Sequence, residues 1–320
     1  MEAKEKQTFL LCFPCLSVIL HSMKKICLFL IYFWCVFAPA ESLWAQAEVR
    51  FPYPHIPDML KEPCQRLNYL LENFWEQFNW ADTTKTNQDV EEQGFSDYIY
   101  FLGQADSLTL DKSVCSFMKQ AYQSPWQQGH VENLINHYFY NPNSPLRNDH
   151  VYIVFLRNML PYYQEDAAKN ERTRYRLRMT DKNMPDRQAN DFFYQTRDGK
   201  IHSLYKTEAE YTLLFFNDPD CHRCQKALQA MEKDPIFTQP RLKVIYIYAD
   251  ADTDSWNNHA HPLPSNWTDA HSPQGDIMTK ELYFIPATPS FYLLDKDKKV
   301  ILKDATLSQL TEMLHKLLGQ

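Results

Sequence analysis

Two cysteines, delivered from the end of an apolar strand to the start of a helix, constrain this chain more than any other feature. The stretch Asp218-Pro219-Asp220-Cys221-His222-Arg223-Cys224-Gln225-Lys226 follows the apolar run Tyr211 to Phe216 and opens a helical pattern through Ala227, Leu228 and Met231. The first turn of a helix presents unpaired N–H groups and about half a positive charge, which favours a thiolate over a thiol. An unperturbed cysteine with a pKa of about 8.5 is only about 3% ionised at pH 7. Lowering that pKa by about two units, worth about 2.7 kcal/mol, makes the thiolate the majority form. A second cysteine one turn on can then attack a mixed disulfide and release the partner. The spacing points to dithiol–disulfide exchange. A structural disulfide or half of a zinc site is the competing reading.

At 320 residues the chain is long enough for two ordinary domains. An apolar content of 44%, with 14% aromatics, excludes a largely disordered protein. A formal charge of −7 argues against nucleic acid or an anionic membrane surface as partner.

The N-terminus has the pattern of an export signal. Met23-Lys24-Lys25 precedes an apolar run from Ile26 to about Ala40, followed by Ala45-Gln46-Ala47. A charged start, a short apolar core and an A-x-A exit predict cleavage after Ala47, with Met23 the better initiator. The run is shorter than the roughly 18–20 residues that span a bilayer. Lipidation at Cys35 is the less favoured alternative, because Tyr32 stands where a leucine would be expected. Removing residues 1–47 leaves Cys64, Cys115, Cys221 and Cys224. In an oxidising compartment that count fits one redox pair and one possible structural bridge, Cys64–Cys115. Such a bridge would close a loop of about 50 residues, worth about 4 kcal/mol in the chain-entropy model; two separately buried thiols are the alternative.

From Phe51 to about Thr180 the pattern is helical and aromatic-rich. Leu67, Leu70, Leu71 and Phe74 share one face, as do Phe95, Tyr98, Ile99 and Leu102, and Val151, Val154, Phe155 and Met159. Five or six helices are expected, the polar stretch Gln164 to Arg178 being a solvated helix or a connecting arm. Composition shifts near Asn183-Met184-Pro185. Strands are expected at Asp191–Gln195, Ile201–Leu204, Tyr211–Phe216, Leu242–Tyr248, Ser290–Leu294 and Val300–Leu302, with helices at Cys221–Lys233 and around Leu307–Leu317. This order predicts residues 48–182 as an all-α domain and 183–320 as an α/β domain with a central mixed sheet and helices on both faces.

Residues 185–320 resemble the thioredoxin fold, in its exported TlpA/ResA-type branch. The residues that carry the resemblance are Ala189-Asn190-Asp191-Phe192, Asp198-Gly199-Lys200, Leu214-Phe215-Phe216 leading into Cys221-His222-Arg223-Cys224, and Ile285-Pro286-Ala287-Thr288-Pro289-Ser290-Phe291. The resemblance implies a three-layer α/β/α thioredoxin-like domain and a thiol–disulfide oxidoreductase. In it Cys221 is the nucleophile and Cys224 the resolving thiol. Thr288 and Pro289, in a cis-proline loop, position substrate. Apart from the resemblance, local charge is expected to tune the thiolate: His222 and Arg223 favour it, while Asp218 and Asp220 oppose it. The resemblance also implies a periplasmic location, cysteines of envelope proteins and a membrane or periplasmic redox protein as partners, and no organic cofactor. Two departures stand out. Asp220 replaces a frequent tryptophan, and Phe215 stands where thioredoxins carry a buried acid. The preceding region, with Phe51-Pro52-Tyr53-Pro54 and Tyr69-Leu70-Leu71-Glu72-Asn73-Phe74-Trp75, resembles an uncharacterised helical domain found ahead of such domains in Gram-negative gut bacteria.

Other polar clusters read as ordinary. His259, His261 and His271 lie in an Asn/Pro/Ser-rich insertion without ligand spacing, so surface histidines are expected and no metal. Asp250, Asp252 and Asp254 alternate as in a calcium loop, but Ser255 and His261 stand where glycine and glutamate are required. Trp256 and Trp267 are expected to pack the insertion onto the domain. The alternative to an enzyme is an envelope binding module with a thioredoxin-like scaffold and a static Cys221–Cys224 bridge.

Overall fold

The computed structural model describes residues 50–319. The export signal, its cleavage site and Cys35 therefore lie outside the described residues. The first part is helical: α1 (Pro63–Asn73), α2 (Lys85–Leu102), α3 (Ser107–Ala121), α4 (Pro125–Ile135), α5 (Asp149–Met159) and α6 (Ala167–Thr180). Local chemistry sets where these helices start. Thr84, Asp106, Ser124, Asn148 and Asp166 each turn a side-chain oxygen onto a first-turn N–H of α2 to α6 in turn. Asp106 and Asn148 thus stand just before apolar-periodic runs, and the polar stretch 164–178 proves to be mostly helix.

The helical core is aromatic. The Phe117 ring lies 4.9–5.9 Å, centre to centre, from Trp75, Trp80, Phe95, Tyr98 and Phe155. Phe51 closes this core from outside the helices by lying against α2 at Gly94, where any side chain would collide with its ring. Among the described residues of this half, the exposed aromatics are Tyr53, Tyr100, Trp126, Tyr140, Tyr162 and Tyr175.

The second part forms one seven-stranded mixed sheet, order β2-β1-β5-β4-β3-β6-β7. Its strands are β1 (Phe193–Thr196), β2 (Ile201–Ser203), β3 (Tyr211–Asn217), β4 (Leu242–Tyr248), β5 (Trp267–His271), β6 (Ser290–Leu294) and β7 (Val300–Lys303). β3, β4 and β5 run parallel, and the other pairings are antiparallel. Between them lie α7 (His222–Lys233), α8 (Thr253–Asn258), α9 (Asp276–Thr279) and finally α10 (Leu307–Leu318). Alternate residues of β3 divide two cores. Leu213 and Phe215 pack with Ala227, Leu228 and Met231 of α7 and Leu310, Leu314 and Leu318 of α10. Leu214 and Phe216 pack with Phe192, Tyr194, Ile277, Tyr283 and Tyr292. The second face is thus covered by short α9 and the chain around Tyr283 rather than by a long helix.

β5 corrects the reading of residues 256–271 as a polar insertion. Trp267–His271 lies between β4 and β1 in mid-sheet, and His271 is buried against the Trp256 ring. The strand is only five residues long and mixes Thr, Asp and His with its apolar positions, so no clean alternation marked it. Trp256 and Trp267 do pack inward, as expected, with Nε1 of Trp267 donating to Phe237 O at 3.0 Å.

Phe117→Ala is expected to remove about 3–5 kcal/mol from the unfolding free energy, as for other large buried aromatics. Denaturant unfolding of the full chain checks this. A loss under about 1 kcal/mol would mean the aromatic cluster does not hold the helical half together.

Candidate active site

β3 ends at Asn217, the chain turns through Asp218, Pro219 and Asp220, and α7 begins at His222. Asp218 builds the turn: its carbonyl accepts from Cys221 N and its Oδ1 from Asp220 N, both at 3.0 Å. Cys221 is the N-cap of α7, the position that oxygen-bearing side chains fill in α2 to α6. Its Sγ accepts from Cys224 N at 3.4 Å, and its carbonyl accepts from Gln225 N at 3.1 Å. The sulfur is therefore held against the N–H groups of the helix start. Cys221 is half-buried, whereas Cys224, facing the sheet, has no exposed surface.

The two thiols are driven in opposite directions. Burial works against ionisation of Cys221. It is outweighed by hydrogen bonds from the Cys224 thiol and N–H, Thr288 and the Arg223 N–H, which hold this thiol below the usual range. Burial dominates at Cys224 and pushes its thiol up to about 12. Arg223 contributes to the balance at Cys221 through its backbone N–H.

β6 pairs antiparallel with β3, Ser290 opposite Phe216, so the segment preceding β6 is brought beside the turn that follows β3. The Thr288–Pro289 bond in it is cis. The Thr288 carbonyl lies 3.5 Å from Cys221 Sγ. Cys221, Cys224, Thr288 and Pro289, separated by more than sixty residues, thus form one cluster. Asp220 points away into solvent and pairs with His259 at 3.4 Å. His222 is exposed at the helix start.

Beneath α7, Phe215 is wholly buried between the Tyr246 and Phe291 rings, at 4.8 and 4.7 Å. An acid is thus replaced by an aromatic contact. The carboxylate this face does carry is farther across the sheet: Asp269, paired in register with Tyr246 and held by Arg197 Nε at 2.7 Å and Trp256 Nε1 at 2.8 Å. These residues line a cavity of about 360 Å³ with Asn217 and His259, and the buried Asn217 amide nitrogen has no hydrogen-bond partner among the described residues. Asn217 immediately precedes Asp218, whose N–H bonds Cys224.

Sequence reasoning missed a contact from the other half of the chain. Arg223 Nη1 donates to Asn143 Oδ1 at 3.2 Å. A loop asparagine with no periodic neighbours gives no signal of that reach. Cys64 is exposed on α1 and Cys115 half-buried on α3, and both are free, so the bridge weighed between them is not formed. Asp250 and Asp252 bond neighbouring backbone N–H groups, Asp252 as the N-cap of α8. Among the described residues no group of three or more His, Cys, Asp or Glu side chains is placed to hold a metal ion.

The fold agrees with comparisons to known proteins. The chain is similar to a solved thioredoxin-like protein from Bacteroides caccae: 32% identity, 83% of this chain and 98% of that one covered, TM-score 0.76. The chain belongs to this thioredoxin-like family. Residues 36–183 also match a family model described as a domain of unknown function, DUF5106. The C-terminal domain of an uncharacterized protein from Bacteroides fragilis is 38% identical, over 41% of this thioredoxin-like chain and 97% of its own, with a TM-score of 0.40. The thioredoxin domain of a thiol-disulfide oxidoreductase from Bacteroides vulgatus is 19% identical, over 42% and 97%, with a TM-score of 0.37. Among curated proteins there is no significant match.

In the reduced protein, Cys221 lowered and Cys224 raised set the sign of the pH dependence. Alkylation of Cys221 is expected to follow a midpoint below the ordinary value of about 8.5, while Cys224 stays unmodified well above that pH. The thiol neutrality of Cys224 stabilises the fold below the ordinary thiol range, and that contribution is lost as pH rises toward about 12. Mass-spectrometric mapping of the alkylated sites checks this; two cysteines labelling together at the ordinary midpoint would contradict it.

Proposed function

We propose that the chain is an exported thiol–disulfide oxidoreductase that exchanges disulfides with cysteines of envelope proteins. Support for the chemistry comes from one observation above the others: the asymmetry of the Cys221–Cys224 pair. One sulfur is accessible, caps a helix and favours the thiolate; the other is buried, neutral and one turn away. In the reducing direction the Cys221 thiolate attacks one sulfur of a substrate disulfide. A new S–S bond forms, the substrate S–S bond breaks, and the departing substrate thiolate takes a proton from solvent. Cys224 then gives up its proton and attacks Cys221 Sγ, which expels the second substrate thiolate. The substrate gains two electrons and two protons, and the protein is left with a Cys221–Cys224 disulfide. A thiol-bearing redox protein of the membrane or periplasm would restore the dithiol, and running the same steps backwards oxidises a substrate.

Thr288 and Pro289 would position the substrate chain beside Cys221. Export to the periplasm rests on the signal-like pattern of residues 23–47. Among the described residues no helix is long and apolar enough to cross a membrane.

Cys221→Ser is expected to bring insulin reduction down to the uncatalysed rate. Cys224→Ser should instead accumulate mixed disulfides that non-reducing gels and mass spectrometry can identify. Equal insulin reduction by the wild type and Cys221→Ser would end the catalytic reading.

A further inference from the structure

The loop joining α4 to α5 reaches from the helical half to both sides of the redox pair. On one side, Asn143 accepts from Arg223, which lies between the two cysteines, at 3.2 Å. On the other, Arg147 pairs with Asp304, just past the end of β7. Asp304 in turn accepts from Ser290 Oγ at 2.7 Å, and Ser290 directly follows the cis Thr288–Pro289 bond. Polar contacts therefore link Arg147, Asp304 and Ser290, the chain itself runs from Ser290 through Pro289 to Thr288, and Cys221 Sγ approaches Thr288 O at 3.5 Å.

This line is built into the protein rather than laid on its surface. The Arg147 and Asp304 side chains are only 12% and 10% exposed, and Ser290 has no exposed surface. Arg147 also contacts Asp149 at 3.3 Å, and Lys303, almost wholly buried, pairs with the other oxygen of Asp149 at 2.7 Å. Asp304 has φ +44, a left-handed conformation that aspartate adopts more readily than most non-glycine residues. Removing one member of such a buried pair strands the other charge, so the contacts are not interchangeable with generic packing.

We propose that residues 141–149 form one wall of the redox site, and that Arg147 is a positioning residue which, through Asp304 and Ser290, fixes the loop that receives an extended polypeptide substrate. This gives the helical half a direct part in substrate choice. It rests on the redox reading of Cys221. An extended polypeptide uses the backbone offered at Thr288, whereas a small disulfide needs only access to Cys221 Sγ. The two substrate types should therefore respond differently when the line is cut.

The test compares insulin with hydroxyethyl disulfide as substrates for the full-length wild type, Ser290→Ala and Arg147→Ala. Ser290→Ala removes one hydroxyl and leaves the Arg147–Asp304 pair in place. It is expected to raise KM for insulin, with kcat little changed, and to lower the insulin-to-small-disulfide ratio of kcat/KM by about two- to tenfold, the range one intramolecular hydrogen bond supports. Arg147→Ala should lower that ratio further, and Arg147→Lys should recover part of it. If Arg147→Ala does not fold, Ser290→Ala decides alone. An unchanged ratio in Ser290→Ala, or a loss confined to kcat and equal for both substrates, would overturn the proposal. A wild type that reduces neither substrate would instead overturn the redox reading, and this proposal with it.

Discussion

A helix that begins with a sulfur atom is the constraint from which the rest of this molecule follows. Helix N-termini leave N–H groups unsatisfied, and five helices of the first half satisfy theirs with oxygen caps. α7 uses Cys221 Sγ for the same purpose. A thiol is a poor partner for these donors and a thiolate a good one, so the capping requirement becomes a bias on protonation. The same geometry buries Cys224 one turn later, where loss of solvent biases it the other way. Two chemically identical side chains thereby acquire different roles. The sheet makes this possible: β3 fixes where the turn starts, and its pairing with β6 brings Thr288 and Pro289 alongside.

Much of this was legible in the chain. The apolar run of β3 and the helical spacing of Ala227, Leu228 and Met231 carry local signals that the structure follows. β5 was not legible. β5 sits in mid-sheet yet holds Asp269, paired with Arg197 and Trp256, and His271, whose Nε2 meets Gln195; Arg197 and Gln195 are 72 and 76 positions away. Periodicity measures exposure averaged along a segment, and it fails where a buried polar residue has its own partner. The donors around Cys221 were only partly legible: the helix-start N–H groups follow from the C-x-x-C position, whereas Thr288 reaches the sulfur only through the fold.

The contacts of the α4–α5 loop were invisible in the sequence for a different reason. Arg147 and Asp304 are separated by 157 positions. Neither residue is unusual where it stands, and only the fold makes the pair. The helical half and the sheet are joined by buried charges, Arg147 with Asp149 and Asp304, and Lys303 with Asp149. Buried ion pairs are weak devices for stability and better ones for fixing a single arrangement, because every misaligned geometry leaves a charge without its partner. That property suits a boundary lying next to the Thr288–Pro289 segment. Phe215, where thioredoxins carry a buried acid, makes this part of the site's floor aromatic rather than charged.

The claim that everything else rests on is that Cys221 and Cys224 form an exchanging couple rather than a fixed bridge. Equilibrating the purified protein in glutathione buffers of graded potential, and counting free thiols at each, tests it most directly. The account predicts reversible interconversion at a potential above about −300 mV, the range of catalytic dithiols. A pair that stays oxidised well below that potential would be a static cross-link, and the account would be wrong.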